Sequence, residues 1–250
     1  MHDMATTVQA RIWPDQVRLP GQLGAPAGPL DLRVPYAVHH AARADLERFG
    51  GAVRRTPAAE VAVWRALAER WRVLVMAVRH EVAAEAAALW PLVRERGAAV
   101  DRVAVHELRH EQEAAHKDLE RCRFALDALA QRGADPVDHR GADPAQTQVV
   151  TLQERAAERV RRCLSLKERV LFVAVQRVLE PAEWRAAERA HFRVGVAPEA
   201  VDHVLWLTDG LPGPLRRDVF RRLGHMEQLM WTLGRAPYRR RDAVAFRYLE

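Results

Sequence analysis

Apolar positions recur three and four residues apart along most of this chain, and strand-like alternation of apolar and polar residues is scarce. That spacing marks amphipathic helices, so the expected class is all-α. A helix A is predicted from Pro35 to the Gly50-Gly51 pair. Helix B takes Thr56 as N-cap and Pro57 at its first position, runs to about Arg96 before Gly97, and bends at Pro91. Helix C covers about 99–131. A Pro-, Gly- and Asp-rich loop spans Gly133 to Pro144, and helix D runs from about Ala145 to Leu179. A short helix starts at Pro181 and continues through Trp184.

Four long amphipathic helices with short connections predict an up-down-up-down four-helix bundle over 35–190. An irregular N-terminal arm, 1–34, precedes it. A C-terminal extension, 191–250, follows, with short helices broken at Pro198, Gly210, Pro212-Gly213-Pro214 and Gly234 and packed on the bundle.

The inward stripes carry the chemistry. Helix A turns His39, Ala42, Leu46 and Phe49 to the core, and helix B turns Trp64, Leu67, Trp71, Leu74, Val78, Glu81, Glu85 and Leu89. Helix C presents Val105, Leu108, Gln112, Ala115, Leu119 and Cys122, with His116 on the flank. Helix D presents Ala156, Val160, Cys163, Lys167, Val170 and Ala174. Buried charges are costly unless paired or metal-bound. Polar groups on four facing stripes are therefore expected to satisfy one another.

Composition narrows the partners. The 250 residues carry 39 Lys and Arg against 33 Asp and Glu, a formal charge of +6. That charge is spread along the chain, so nucleic acid is not the expected partner. The apolar run Val73–Val78 is closed by Arg72 and Arg79, far short of a membrane span. The N-terminus lacks a signal-peptide core, and two cysteines, Cys122 and Cys163, make no disulfide framework. These features predict a cytoplasmic protein with no membrane partner. All but two of the basic residues are arginines, and one of the two lysines, Lys167, falls on the helix D stripe. His106 and His110 form a His-x-x-x-His pair, which the helix phase puts at the surface.

At these positions the chain resembles the hemerythrin-like family, in its actinobacterial-type branch. The resemblance rests on Tyr36-Ala37-Val38-His39-His40-Ala41 with Arg43-Ala44-Asp45-Leu46, on Glu85 before Leu89-Trp90-Pro91, and on Glu113-Ala114-Ala115-His116. It continues with Glu168 before Leu171-Phe172 and with the closing Ala245-Phe246-Arg247-Tyr248. The resemblance implies a four-helix bundle with a non-haem, usually di-iron, site. Carried over by position, His39, Glu85 and His116 match the family's ligands. The helix B histidine falls on Glu81, with His80 one residue early and about 100° around the helix. The helix D histidine falls on Cys163 and the helix D glutamate on Lys167, and Ala86 stands where an Asp often follows.

These departures leave three readings. One divalent metal, iron by preference, sits on His39, Glu85, His116 and Glu81 and serves a redox or small-molecule role. Alternatively no cofactor binds, and a small molecule in the bundle cavity meets Glu81, Glu85 and Lys167 as acid and base, with Cys163 as nucleophile. In the third, the centre is a relic held by salt bridges, in a non-catalytic sensor or interaction module. Whether the protein is an enzyme, and its oligomeric state, stay open.

Overall fold

The computed structural model describes Trp13 and residues 15–132, 143–192 and 198–249. All the regular structure among them is helical. The elements are α1 (Arg33–Arg55), α2 (Val61–Ala88), α3 (Trp90–Arg96), α4 (Ala99–Ala130) and α5 (Pro144–Leu166), then a π-helical turn (Lys167–Leu171) that continues into α6 (Phe172–Val178). Beyond them lie α7 (Pro181–Ala187), a second π turn (Glu188–Phe192), α8 (Pro198–Asp209), α9 (Gly213–Leu223), α10 (His225–Ala245) and a closing 3-10 turn (Arg247–Leu249). Helix α4 packs on α2 and α5, α1 packs on α5, and α8 and α10 lie against α1 and α2 or against each other. Among the described residues no helix is long and apolar enough to cross a membrane.

Several predicted boundaries move. Helix α1 does not stop at Gly50-Gly51 but runs on to Arg55. Gly51 serves close approach rather than termination: a Cβ on it would lie 2.5 Å from Leu249 Cδ2 of the C-terminal turn. Thr56 is consequently not the cap that opens α2. It closes α1, with its backbone N–H and its Oγ1 both donating to Ala52 O at 2.9 Å. Helix α2 starts only at Val61, after Glu60. The bend expected at Pro91 is a break at Leu89, after which α3 restarts with the proline in its first turn, where a missing N–H is harmless. Gly234 does not break the last segment. It lies inside the 21-residue α10, where a Cβ would come 2.9 Å from Leu205 Cδ1 of α8, so the two helices meet there. The extension is therefore not made of short helices alone. The loop predicted over 133–144 falls outside the described residues but for its last two positions.

The described part of the arm has no regular structure before α1 and is well anchored. Leu30 and Leu32 are fully buried. The Gln176 side chain clamps the arm, accepting from Leu30 N–H at 2.9 Å and donating to Leu30 O at 3.0 Å.

The apolar interior divides into two bodies. One gathers Phe49, Trp64, Trp71, Leu119, Cys122 and Leu164; the other gathers Tyr36, Leu89, Val93, Leu108, Leu171 and Phe172. Along α2 the first ends at Ala77 and the second begins at Ala84. Along α4 the gap between them holds Gln112, and between Leu164 and Leu171 it holds Lys167 and Glu168. A polar layer thus crosses the helices at one height.

Candidate functional site

Six side chains fill that layer, and Arg43 joins them at its edge. The Lys167 Nζ lies 2.7 Å from Glu81 Oε2 and 2.9 Å from Glu85 Oε1. The other oxygen of Glu81 is 3.0 Å from His39 Nε2, and the other oxygen of Glu85 accepts from Gln112 Nε2 at 2.7 Å. On its far side His39 meets Glu168 through Nδ1 at 2.8 Å. Glu168 is held in turn by Arg43 at 2.8 Å and by the Leu23 N–H of the arm at 2.7 Å. Lys167 is 1% exposed, and His39, Glu81, Glu85 and Glu168 are buried as deeply.

The π turn explains how two consecutive residues of one helix both face inward. In a regular α-helix Lys167 and Glu168 would point about 100° apart. A π turn inserts one residue into the helical repeat and widens it locally. Both side chains are buried here, and the apolar stripe resumes one residue late. Val170, expected inward, is only half-buried, whereas Leu171 is fully enclosed.

The electrostatics follow from this packing. Burial pulls the His39 imidazole down, but Glu81 and Glu168 on either side outweigh it and raise its pKa. The geometry agrees in direction: His39 Nδ1 is within hydrogen-bond distance of Glu168, and Nε2 lies 3.0 Å from Glu81 in a charge contact that is not aligned as a hydrogen bond. Burial alone would raise Glu81, yet Lys167 and then His39 hold it down to about 2. Glu85 moves the other way, raised by burial and by Glu81 against the pull of Lys167. Lys167 loses to burial and gains more from its two carboxylates, so its pKa is raised. Burial pushes the Cys163 thiol up to about 12, which leaves it protonated at neutral pH and a poor nucleophile.

The structure therefore brings together His39, Glu81, Glu85 and Lys167, with Cys163 buried one turn before the lysine. It does not bring in His116. That ring is half-buried and lines a groove of about 320 Å³ between α2 and α4, together with Val82, Ala86, Trp90, Arg109 and Gln112. The inward member of α4 at this height is Gln112, one turn earlier. Nor does the donor set suit a metal. Both ring nitrogens of His39 face carboxylates, Lys167 and Gln112 hold one oxygen of Glu81 and both of Glu85, and an ammonium sits between the two carboxylates. Among the described residues no group of three or more His, Cys, Asp and Glu is placed to hold a metal ion. Glu168, Arg43 and Gln112 belong to the layer without having been singled out as site residues. The sign of Glu168 was a carboxylate next to Lys167 followed by two apolar residues, Leu171-Phe172.

His80 turns away from the layer toward α8, where its ring meets that of His203 edge-on, with centroids 5.3 Å apart. Together with Glu81 and Glu227 they line a space of about 10 Å³, the size of one water molecule. Burial and then the neighbouring His80 lower the His203 pKa to about 3. The unfolded chain takes up this proton below about pH 6.5 and the folded chain does not, so stability falls as pH drops from 6.5 toward 3. At pH 5 this residue should cost about 2 kcal/mol relative to pH 7. Urea unfolding at the two pH values checks it: His203→Phe should remove about that much of the wild-type decline. An unchanged decline would refute the assignment.

No known protein family, no characterised protein and no solved structure matches the chain.

Proposed function

We propose that this chain is a metal-independent, hemerythrin-like protein, an up-down-up-down bundle in which the Lys167 ammonium stands where a cation would, and that it handles a small organic molecule rather than iron. The observation that carries this reading is the lysine nitrogen seated between two buried glutamates, at 2.7 and 2.9 Å. A single ammonium places one positive charge between the two carboxylates where a divalent metal would place two, with its hydrogen bonds in place of coordination bonds. His39 supports the same reading, because its ring nitrogens face Glu168 at 2.8 Å and Glu81 at 3.0 Å, and a nitrogen that meets a carboxylate through its N–H is not free to ligate.

Catalysis by Glu81, Glu85, Lys167 or Cys163 would require the helices to part, since all four are buried. The reading therefore favours a binding role. Gln112 supplies the link outward, touching Glu85 on one side and lining the α2–α4 groove on the other.

Metal analysis of protein purified without chelator tests the proposal. The expected result is less than a tenth of an equivalent (order of magnitude) of any transition metal, unchanged by aerobic loading with ferrous iron. Retention of about one equivalent of iron after desalting would overturn it.

A further inference from the structure

The α2–α4 groove has more specific chemistry than a surface cleft. Its wall is apolar, built from Val78, Val82, Ala83 and the Trp90 ring, and its volume of about 320 Å³ falls in the range of small-ligand sites. It continues into a wider section of about 500 Å³, which shares Ala86, Trp90 and Arg109 with it. Across both sections four arginines, Arg79, Arg94, Arg102 and Arg109, face a single glutamate, Glu113. Arg79 and Arg109 take part in no ion pair among the described residues. Arg109 is instead stacked over the Trp90 ring, 4.9 Å from its centroid, so its planar fork is held in place.

A second, independent observation points to a ligand. Three residues of the groove each carry a buried polar atom without a hydrogen-bond partner: Trp90 Nε1, Gln112 Oε1 and His116 Nδ1. Gln112 is 5% exposed. Because its Nε2 donates to the Glu85 carboxylate, its oxygen is the atom left over, an acceptor waiting for a donor. An unpaired buried polar group costs about 1–3 kcal/mol, so three in one groove call for something that satisfies them.

We propose that this groove binds a small planar carboxylate: an aromatic or heteroaromatic acid that also bears one O–H or N–H group. Its flat body would lie against Trp90 and the valines, and its carboxylate would meet Arg79, Arg109 and the indole N–H. Its own donor would reach Gln112 Oε1. The site deepens the small-molecule part of the reading above and stands apart from its metal-free part.

The test is a fluorescence titration of the intact protein with 6-hydroxy-2-naphthoate, beside 2-naphthol, which lacks the carboxylate, and inorganic phosphate. The expected result is saturable 1:1 binding of the hydroxynaphthoate, weakened about ten-fold or more by Arg79→Gln or Arg109→Gln. Trp90→Phe keeps the ring and removes the donor, and it should weaken binding several-fold. Both arginines are exposed, so their variants should keep the wild-type melting point, which is measured in parallel. Equal affinity for 2-naphthol, full competition by phosphate at similar concentration, or binding unaffected by both arginine variants would each overturn the proposal. Metal content is measured on the same preparations. Metal-free protein that ignores the hydroxynaphthoate overturns the groove alone, whereas iron-loaded protein that binds it overturns the metal-free reading alone.

Discussion

Replacing Lys167 with methionine should cost about 3–5 kcal/mol of folding stability at neutral pH, the usual penalty for removing one partner of a buried ion pair. The side chains are similar in length, so packing is nearly kept and the loss is electrostatic. Glu81 and Glu85 would face each other with only His39 and Gln112 as partners. For a chain of this size the melting temperature should fall by roughly 10 °C. The pH dependence gives a second readout. Glu81 is held at about 2 in the fold, so its contribution is complete above about pH 4.5 and is lost as pH falls toward 2. The gap between wild type and Lys167→Met should therefore be largest near neutrality and should narrow by about 1 kcal/mol at pH 3.5. Adding Glu81→Gln and Glu85→Gln to Lys167→Met should recover most of the stability, because a neutral hydrogen-bonded layer removes the stranded charges. Urea unfolding of the three proteins decides the matter. A loss below about 1 kcal/mol for Lys167→Met would mean that the lysine does not hold the layer together.

The second large effect lies at the junction with the C-terminal helices. Arg70 of α2 is buried and forks between two carboxylates, reaching Asp45 of α1 at 2.8 Å and Asp242 of α10 at 3.1 Å. Asp45 also accepts from Trp206 Nε1 of α8 at 2.6 Å, and Arg70 lies over the Tyr238 ring of α10 at 5.3 Å. This guanidinium joins α2 to α1 and α10 directly, and Asp45 brings in α8. Burial raises the Asp45 pKa against the pull of Arg70, so loss of the arginine would drive that carboxylate further toward its neutral form. Arg70→Met should destabilise by about 3–5 kcal/mol and expose α8 and α10 to limited proteolysis well before α2 and α4. Arg70→Lys should rescue little, because a point charge cannot span both acids. Trp206→Phe, which removes a single hydrogen bond, should cost about 1–2 kcal/mol. If Arg70→Met left the proteolysis pattern unchanged, the docking role would be wrong.

Much of this was legible in the chain because helices announce themselves by a 3.6-residue period. The stripes through Trp64, Trp71, Leu119 and Val160 are buried as read, and the same phase carried His39, Glu81, Glu85 and Lys167 inward together. What periodicity cannot carry is a change of period. Glu168 was hidden because the stripe slips by one residue within the π turn, and any fixed phase through Cys163 and Lys167 turns Glu168 away. His116 was chosen by its position in a motif, whereas the stripe itself already held Gln112. The glycines misled in a consistent way. Gly50, Gly51 and Gly234 read as breaks in a local account, but at Gly51 and Gly234 the missing side chain makes room for Leu249 and Leu205, which are distant in sequence. The role of His203 was unreadable for the same reason, since only the docking of α8 on α2 brings it to His80.

The π turn at Lys167–Leu171 has a genetic aspect. A π turn amounts to one residue threaded into a helix, so in coding terms it is a three-nucleotide insertion. Deleting one residue there would restore the regular helix and rotate everything from Phe172 to Val178 by about 100° relative to α5. Only one of the two inward positions would survive. The lysine between Glu81 and Glu85 and the carboxylate behind His39 therefore face inward together only because of that extra residue, and a single codon separates this crossing from one that keeps just one of them.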